Sequence, residues 1–150
     1  MMKRRVSEKG FTLVEVMLAV AIAAVALCGI LATYAACFTL IRTSKNASIA
    51  TSAAQGLLDE IRNTSFPLIK STYNGTNFTV NNMPLNRGIV YVDDSNPELL
   101  KVTISVCWKQ GNIVVGEDKN LNGSLDTGED ANSNGIIDSP VELTTLIVNR

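Results

Sequence analysis

The apolar positions divide the chain into stretches of different period. From Phe11 to Ile41 the sequence FTLVEVMLAVAIAAVALCGILATYAACFTLI runs almost unbroken in apolar and small residues, and Glu15 is its only charge. A helix needs about 20 apolar residues to cross a bilayer, and this run is longer. From Ile49 the apolar positions thin to Ala50, Ala53, Ala54, Leu57, Leu58 and Ile61, with Gln55, Asp59, Glu60 and Arg62 between and beside them. Spacings of three and four predict an amphipathic helix. Asn63-Thr64-Ser65 and Pro67 are expected to end it. One helix over residues 11–63 would be about 80 Å long, apolar all round in its first half and striped in its second.

After Pro67 the period changes to two. Strands are predicted at 78–80, 89–92, 99–108, 113–115 and 141–148. In LLKVTISVCW (99–108), Val102, Ile104, Val106 and Trp108 share one face, and Thr103, Ser105 and Cys107 share the other. Asn74-Gly75, Asn86-Arg87-Gly88, Ser95-Asn96-Pro97 and Gln110-Gly111-Asn112 read as turns. The helical stripe would cover the sheet's apolar face. The fold class is therefore α+β: a long N-terminal helix packed on a small antiparallel β-sheet.

Charge adds what periodicity does not. The chain holds 13 basic and 14 acidic residues, a net of −1. Lys3, Arg4, Arg5 and Lys9 crowd the start, whereas residues 117–142 hold seven acids against Lys119 alone. The basic cluster and Gly10 precede the apolar run, the reverse of a secretory signal, whose cleavage site follows an apolar region of about 7–15 residues. A peptidase cutting after Gly10 would keep the apolar helix. The basic leader would stay cytoplasmic, and the rest of the chain would lie on the far side.

The acidic stretch repeats a cation-binding pattern. Residues 118–129, DKNLNGSLDTGE, put Asp118, Asn120, Asn122, Ser124, Asp126 and Glu129 at positions 1, 3, 5, 7, 9 and 12 of an EF-hand-type loop, with Gly123 at position 6. Residues 130–141 repeat it with Asp130, Asn132, Asn134, Gly135, the Ile136 carbonyl and Asp138. Leu125 and Ile137 occupy the apolar eighth position. The second copy ends in Val141, with its carboxylate one place late at Glu142, so it needs a ligand from elsewhere and should bind more weakly. The flanks read as strands, so the loops should brace a long connection between two C-terminal strands. The pattern predicts one Ca2+, and a second if the other loop also fills.

The chain has no His, which removes the commonest general base, and no nucleophile motif or phosphate-binding loop argues for catalysis. Cys28 and Cys37 lie nine residues apart on opposite helix faces and cannot bridge within one chain. Together with Cys107 they read as buried free thiols.

KGFTLVEVMLAVAIAAVAL resembles the N-terminus of type IV pilins and type II secretion pseudopilins. With AQGLLDEIR further on, it is most similar to PilV-like minor pilins. The resemblance implies a pilin fold. It also implies cleavage between Gly10 and Phe11 by prepilin peptidase, with methylation of the new Phe11 amine. Glu15 would face the Phe11 amine of a neighbouring subunit. The implied partners are other pilins or pseudopilins in a filament, the peptidase, and the inner membrane before assembly; no small-molecule substrate is implied. Two departures from abundant major pilins stand out: Ala32 replaces a common helix proline, and the paired C-terminal cysteines are missing. The expected organisation is a leader at 1–10, a transmembrane and filament-core helix at 11–41, an amphipathic half at 42–63 and a β head at 64–150 containing the loops at 118–141. The expected role is a minor subunit of a type IV pilus, anchored once in the inner membrane with a periplasmic head. The alternatives are a minor pseudopilin of a type II secretion system and a calcium-dependent adhesive tip subunit.

Overall fold

The computed structural model describes residues 10–149. The chain forms two compact units, one ending at Ile41 and the other beginning at Arg42. The leader, up to residue 9, lies outside the described residues.

Helix α1, Leu13–Arg62, contributes to both units. Up to Ile41 every described residue is exposed, including large apolar side chains such as Leu13, Val25 and Leu31. This is the helix long and apolar enough to cross a membrane. Exposure of so continuous an apolar surface calls for a surrounding other than water.

The second unit opens with the amphipathic half of α1. Its buried stripe, Asn46, Ala50, Ala54, Leu58 and Ile61, recurs every three or four residues. It packs against Val90, Val92, Val102, Ile104, Val106 and Trp108 of the sheet in one apolar cluster. Burying a side chain the size of Ile61 stabilises the fold by about 1.5–3 kcal/mol.

A second helix, α2 (Phe66–Tyr73), follows at once. Pro67 therefore opens a helix as well as closing one. A proline lacks only an N–H that the first turn leaves unused, and its φ suits that turn. Ile69 is buried in the same core, and the Tyr73 hydroxyl meets Thr64 Oγ1 at 3.1 Å.

The sheet is antiparallel: β1 (Asn77–Phe78), β2 (Asn86–Asn96), β3 (Leu99–Gln110), β4 (Ile113–Val115) and β5 (Glu142–Val148). The strand expected at 78–80 is shorter. Val80 leaves the ladder, and the Asn86 side chain binds both its N–H (2.7 Å) and its carbonyl (3.0 Å). Asn86-Arg87-Gly88, expected as a turn, is extended strand opposite Trp108, Cys107 and Val106. A side chain at Gly88 would collide with the Phe78 ring, so this glycine serves close approach and makes no bend.

Strand β3 is central. One edge carries β2. The other carries β4 opposite Trp108–Gln110 and β5 opposite Leu99–Ser105. Residues 116–141 therefore leave and rejoin the same edge of one strand. They fold over the face opposite α1, where Leu121 and Ile137 join Ile89 and Cys107, with Tyr91, Val114 and Leu125 packed around them. Thr103, Ser105 and Cys107 are buried there in a second, smaller core. Cys107 is a buried free thiol, as expected, but Cys28 and Cys37 are exposed. The apolar run that carries them is exposed along its whole described length.

Candidate functional site

The two twelve-residue loops share one local geometry. In the first, Asp118 is buried, at 1 % exposure, and accepts the N–H groups of Asn122 (3.0 Å) and Gly123 (2.7 Å). In the second, Asp130 accepts those of Asn134 (3.1 Å) and Gly135 (3.0 Å). Gly123 and Gly135 stand at φ 79° and 80°, which a side chain resists and the sharp turn requires. Asp126 accepts from the amides of Asn120 (2.7 Å) and Asn122 (2.8 Å), and Asp138 from those of Asn132 and Asn134. Ser124 and Ile136 donate their N–H groups to Asn122 and Asn134. Among the described residues their carbonyls accept no hydrogen bond.

Two glutamates close these loops in the same way. Glu129 accepts from the N–H of Lys119 (2.9 Å) and of Asp126 (3.1 Å), the second and ninth positions of the first loop. Glu117 accepts from Ala131 (3.0 Å) and Asp138 (3.0 Å), the second and ninth positions of the second loop. Glu117 thus occupies, for the second loop, the place Glu129 holds in the first. Val141, where the repeat calls for a carboxylate, is an apolar core residue. Glu142 heads β5 beside Asp138; burial, then the Asp138 charge, raise its carboxyl above the usual range.

Among the described residues no ion pair neutralises this region. The ion pairs among the described residues are Arg62–Asp59 and Lys70–Asp94, so no loop carboxylate has a protein cation at salt-bridge distance. Among the described residues no three acidic, His or Cys side chains gather as a ready cluster. The donors that face each loop mix carboxylates, amides and main-chain carbonyls. Their oxygens are hard donors, the ligand type that suits Ca2+.

The loops are fastened to the sheet. Ile137 N–H donates to the Tyr91 hydroxyl (2.9 Å), Arg87 Nε to the Leu121 carbonyl (3.2 Å), and Ser139 Oγ to the Val106 carbonyl. Burial raises the Tyr91 hydroxyl and the Cys107 thiol beneath the loops.

At the other end of the chain, Gly10 and Phe11 precede α1 and are exposed. Thr12 and Glu15 form a capping box. Thr12 N–H (2.9 Å) and Oγ (2.9 Å) both donate to Glu15 Oε2, and Glu15 N–H donates to Thr12 Oγ at 3.3 Å. A carboxylate in an apolar helix is satisfied locally by the helix's own first turn.

Residues 5–33 match the prokaryotic N-terminal methylation motif. The chain has the N-terminus of a type IV pilin-like prepilin. No curated protein and no solved structure matches the chain. The matched motif spans Gly10, Phe11 and Glu15 together: Glu15 lies in the first turn of α1, and Gly10 and Phe11 stand just before it. Such an N-terminus implies processing by prepilin peptidase and assembly with other pilins.

Sequence reasoning missed Glu117. The signal was present: the repeat reads EDKNLNGSLDTG from 117 and EDANSNGIIDSP from 129. Counting each copy from Glu, not from Asp, reveals both closing residues.

Proposed function

We propose that the protein is a minor structural subunit of a type IV pilus. Prepilin peptidase cuts after Gly10 and the new Phe11 amine is methylated. The chain waits as a single-pass inner-membrane protein with its head in the periplasm, then enters the filament through α1. The observation that carries this reading is the methylation motif on a helix whose first part is wholly exposed and apolar and whose second part packs the head. Glu15 has a second role beyond its cap: its charge pairs with the Phe11 amine of a neighbouring subunit.

The head is braced by Ca2+. Asp118, Asn120, Asn122, Ser124, Asp126 and Glu129 would hold one ion. Asp130, Asn132, Asn134, Ile136, Asp138 and Glu117 would hold a second. Buried Asp118 supports this: main-chain N–H groups meet its oxygens, but among the described residues no cation pairs with its charge, and burying an unpaired charge is costly. The ions would offset repulsion among the acids and fix the long excursion between β4 and β5, the office that a disulfide fills in other pilin heads.

Co-expression with a prepilin peptidase tests the processing: the chain should lose residues 1–10, and Gly10→Val should block the loss. Fractionation then separates the two filament readings. Recovery in sheared surface pili supports the pilus. Retention in the periplasm, dependent on a type II secretion system, would make it a minor pseudopilin.

A further inference from the structure

We propose that Arg42, Lys45 and Lys109 seat the phosphate of an anionic phospholipid headgroup while the subunit stands in the membrane. This rests on the reading of residues 11–41 as a membrane span. A cleft of about 430 Å³ opens in the second unit between the start of its helical part, the 82–85 loop and the β3–β4 turn. These three cations line it, and no carboxylate does. Among the described residues none of the three has an acidic partner at salt-bridge distance. Residues 42–150 hold 9 basic and 12 acidic groups, so bulk composition does not force three cations together. Like charges converging without a counter-charge repel, and an anion from outside removes that cost.

The cleft is built, not frayed. Trp108 Nε1 (3.1 Å) and Asn46 Nδ2 (3.5 Å) donate to Gln110 Oε1, and the Gln110 amide nitrogen donates to Thr43 Oγ1. Lys109 N–H donates to the Leu85 carbonyl at 2.7 Å. Helix, loop and turn are thereby held together beneath the cations. Pro84 and the exposed Leu85 give the rim an apolar side suited to a glycerol backbone.

Position selects the lipid source. Arg42 follows the last residue of the apolar run, and Lys45 lies about 4.5 Å further along the helix. The headgroup layer on each side of the hydrocarbon core is about 5–7 Å deep. Arg42 offers a planar fork of donors and the lysines offer point charges, the two ways proteins hold phosphate. Three cations without a carboxylate would repel a choline or ethanolamine ammonium. The headgroup that fits is a phosphodiester with a neutral alcohol, such as phosphatidylglycerol.

The test uses the full chain in nanodiscs of phosphatidylcholine, with or without phosphatidylglycerol, read by amide hydrogen exchange. Exchange over 82–85 and 109–112 should slow several-fold when phosphatidylglycerol is present. Arg42→Gln/Lys45→Gln/Lys109→Gln should abolish the difference, and Lys70→Gln/Lys101→Gln should leave it. Equal exchange in the two lipids, or loss of the effect in the Lys70/Lys101 control, would overturn the seat while leaving the span intact. The same slowing by inorganic phosphate in phosphatidylcholine would make the ligand a free anion and overturn the lipid assignment. Failure of the chain to enter nanodiscs at all would refute the span itself.

Discussion

Glu15 has two chemical jobs that one substitution can separate. Its carboxylate closes the capping box with Thr12, and its charge is proposed to meet a neighbour's amine. Glu15→Gln keeps an acceptor for the cap and removes the charge; Glu15→Ala removes both. If pairing drives assembly, both variants insert in membranes and both enter filaments poorly. If only the cap matters, Gln incorporates normally. A carboxylate near the apolar core of a bilayer costs about 2.5–3.5 kcal/mol, and the proposed charge pair would offset that cost in the filament. Glu117 allows a second residue-scale test. Glu117→Gln and Glu129→Gln should each lower the calcium stoichiometry of the full chain in detergent from two ions toward one by isothermal calorimetry. A Glu117→Gln chain that still binds as much as the parent would remove Glu117 from the site. The Asp-x-Asn-x-Asn-Gly spacing was legible in the sequence, because those residues act within their own loop. The Glu117 closure was present only as a repeat frame counted from Glu, and its assignment needed the fold, because it joins one residue to a loop that starts thirteen positions later. Only tertiary folding shows which loop a glutamate serves.

At the scale of elements, the helix was readable because its two periods are unambiguous, and the expected ends lie within two residues of Leu13 and Arg62. Helix α2 was not, since Pro67 stops one helix and starts another with the same ring. The sheet's second face was also missed. Thr103, Ser105 and Cys107 look like a solvent-facing row, and only the packing of Leu121 and Ile137 makes that row a core. Each face gives a prediction. Ile61 is fully buried against the sheet, so Ile61→Ala should destabilise the head by about 2–5 kcal/mol in chemical unfolding. Beneath the loops, Cys107 is both buried and held as the thiol. In a Cys28→Ser/Cys37→Ser background, alkylation of Cys107 should be slow with calcium and many-fold faster with chelator. Equal rates would mean that the loops hold their shape without the ion. In the same chain, calcium at a hundredfold excess over its dissociation constant should add about 2.7 kcal/mol of stability per site, seen as a raised melting temperature; an unchanged one would remove calcium from the bracing role.

At the scale of the whole molecule, charge is sorted along the chain. Cations gather in the leader and around the 42–45 and 109 cleft, and acids gather in the loops of residues 117–142. Removal of residues 1–10 would leave 9 basic and 13 acidic groups, a net of −4. Such cleavage would discard the basic groups proposed to hold the N-terminus on the cytoplasmic side and would create the α-amine that Glu15 is proposed to meet. The central claim is that this is a processed subunit polymerised through its N-terminal helix. Mass spectrometry of the N-terminus of the chain recovered from sheared filaments tests it most directly. The predicted result is a chain beginning at N-methylated Phe11. A filament-borne chain that still begins at Met1, or a chain processed after Gly10 yet absent from every filament, would contradict it.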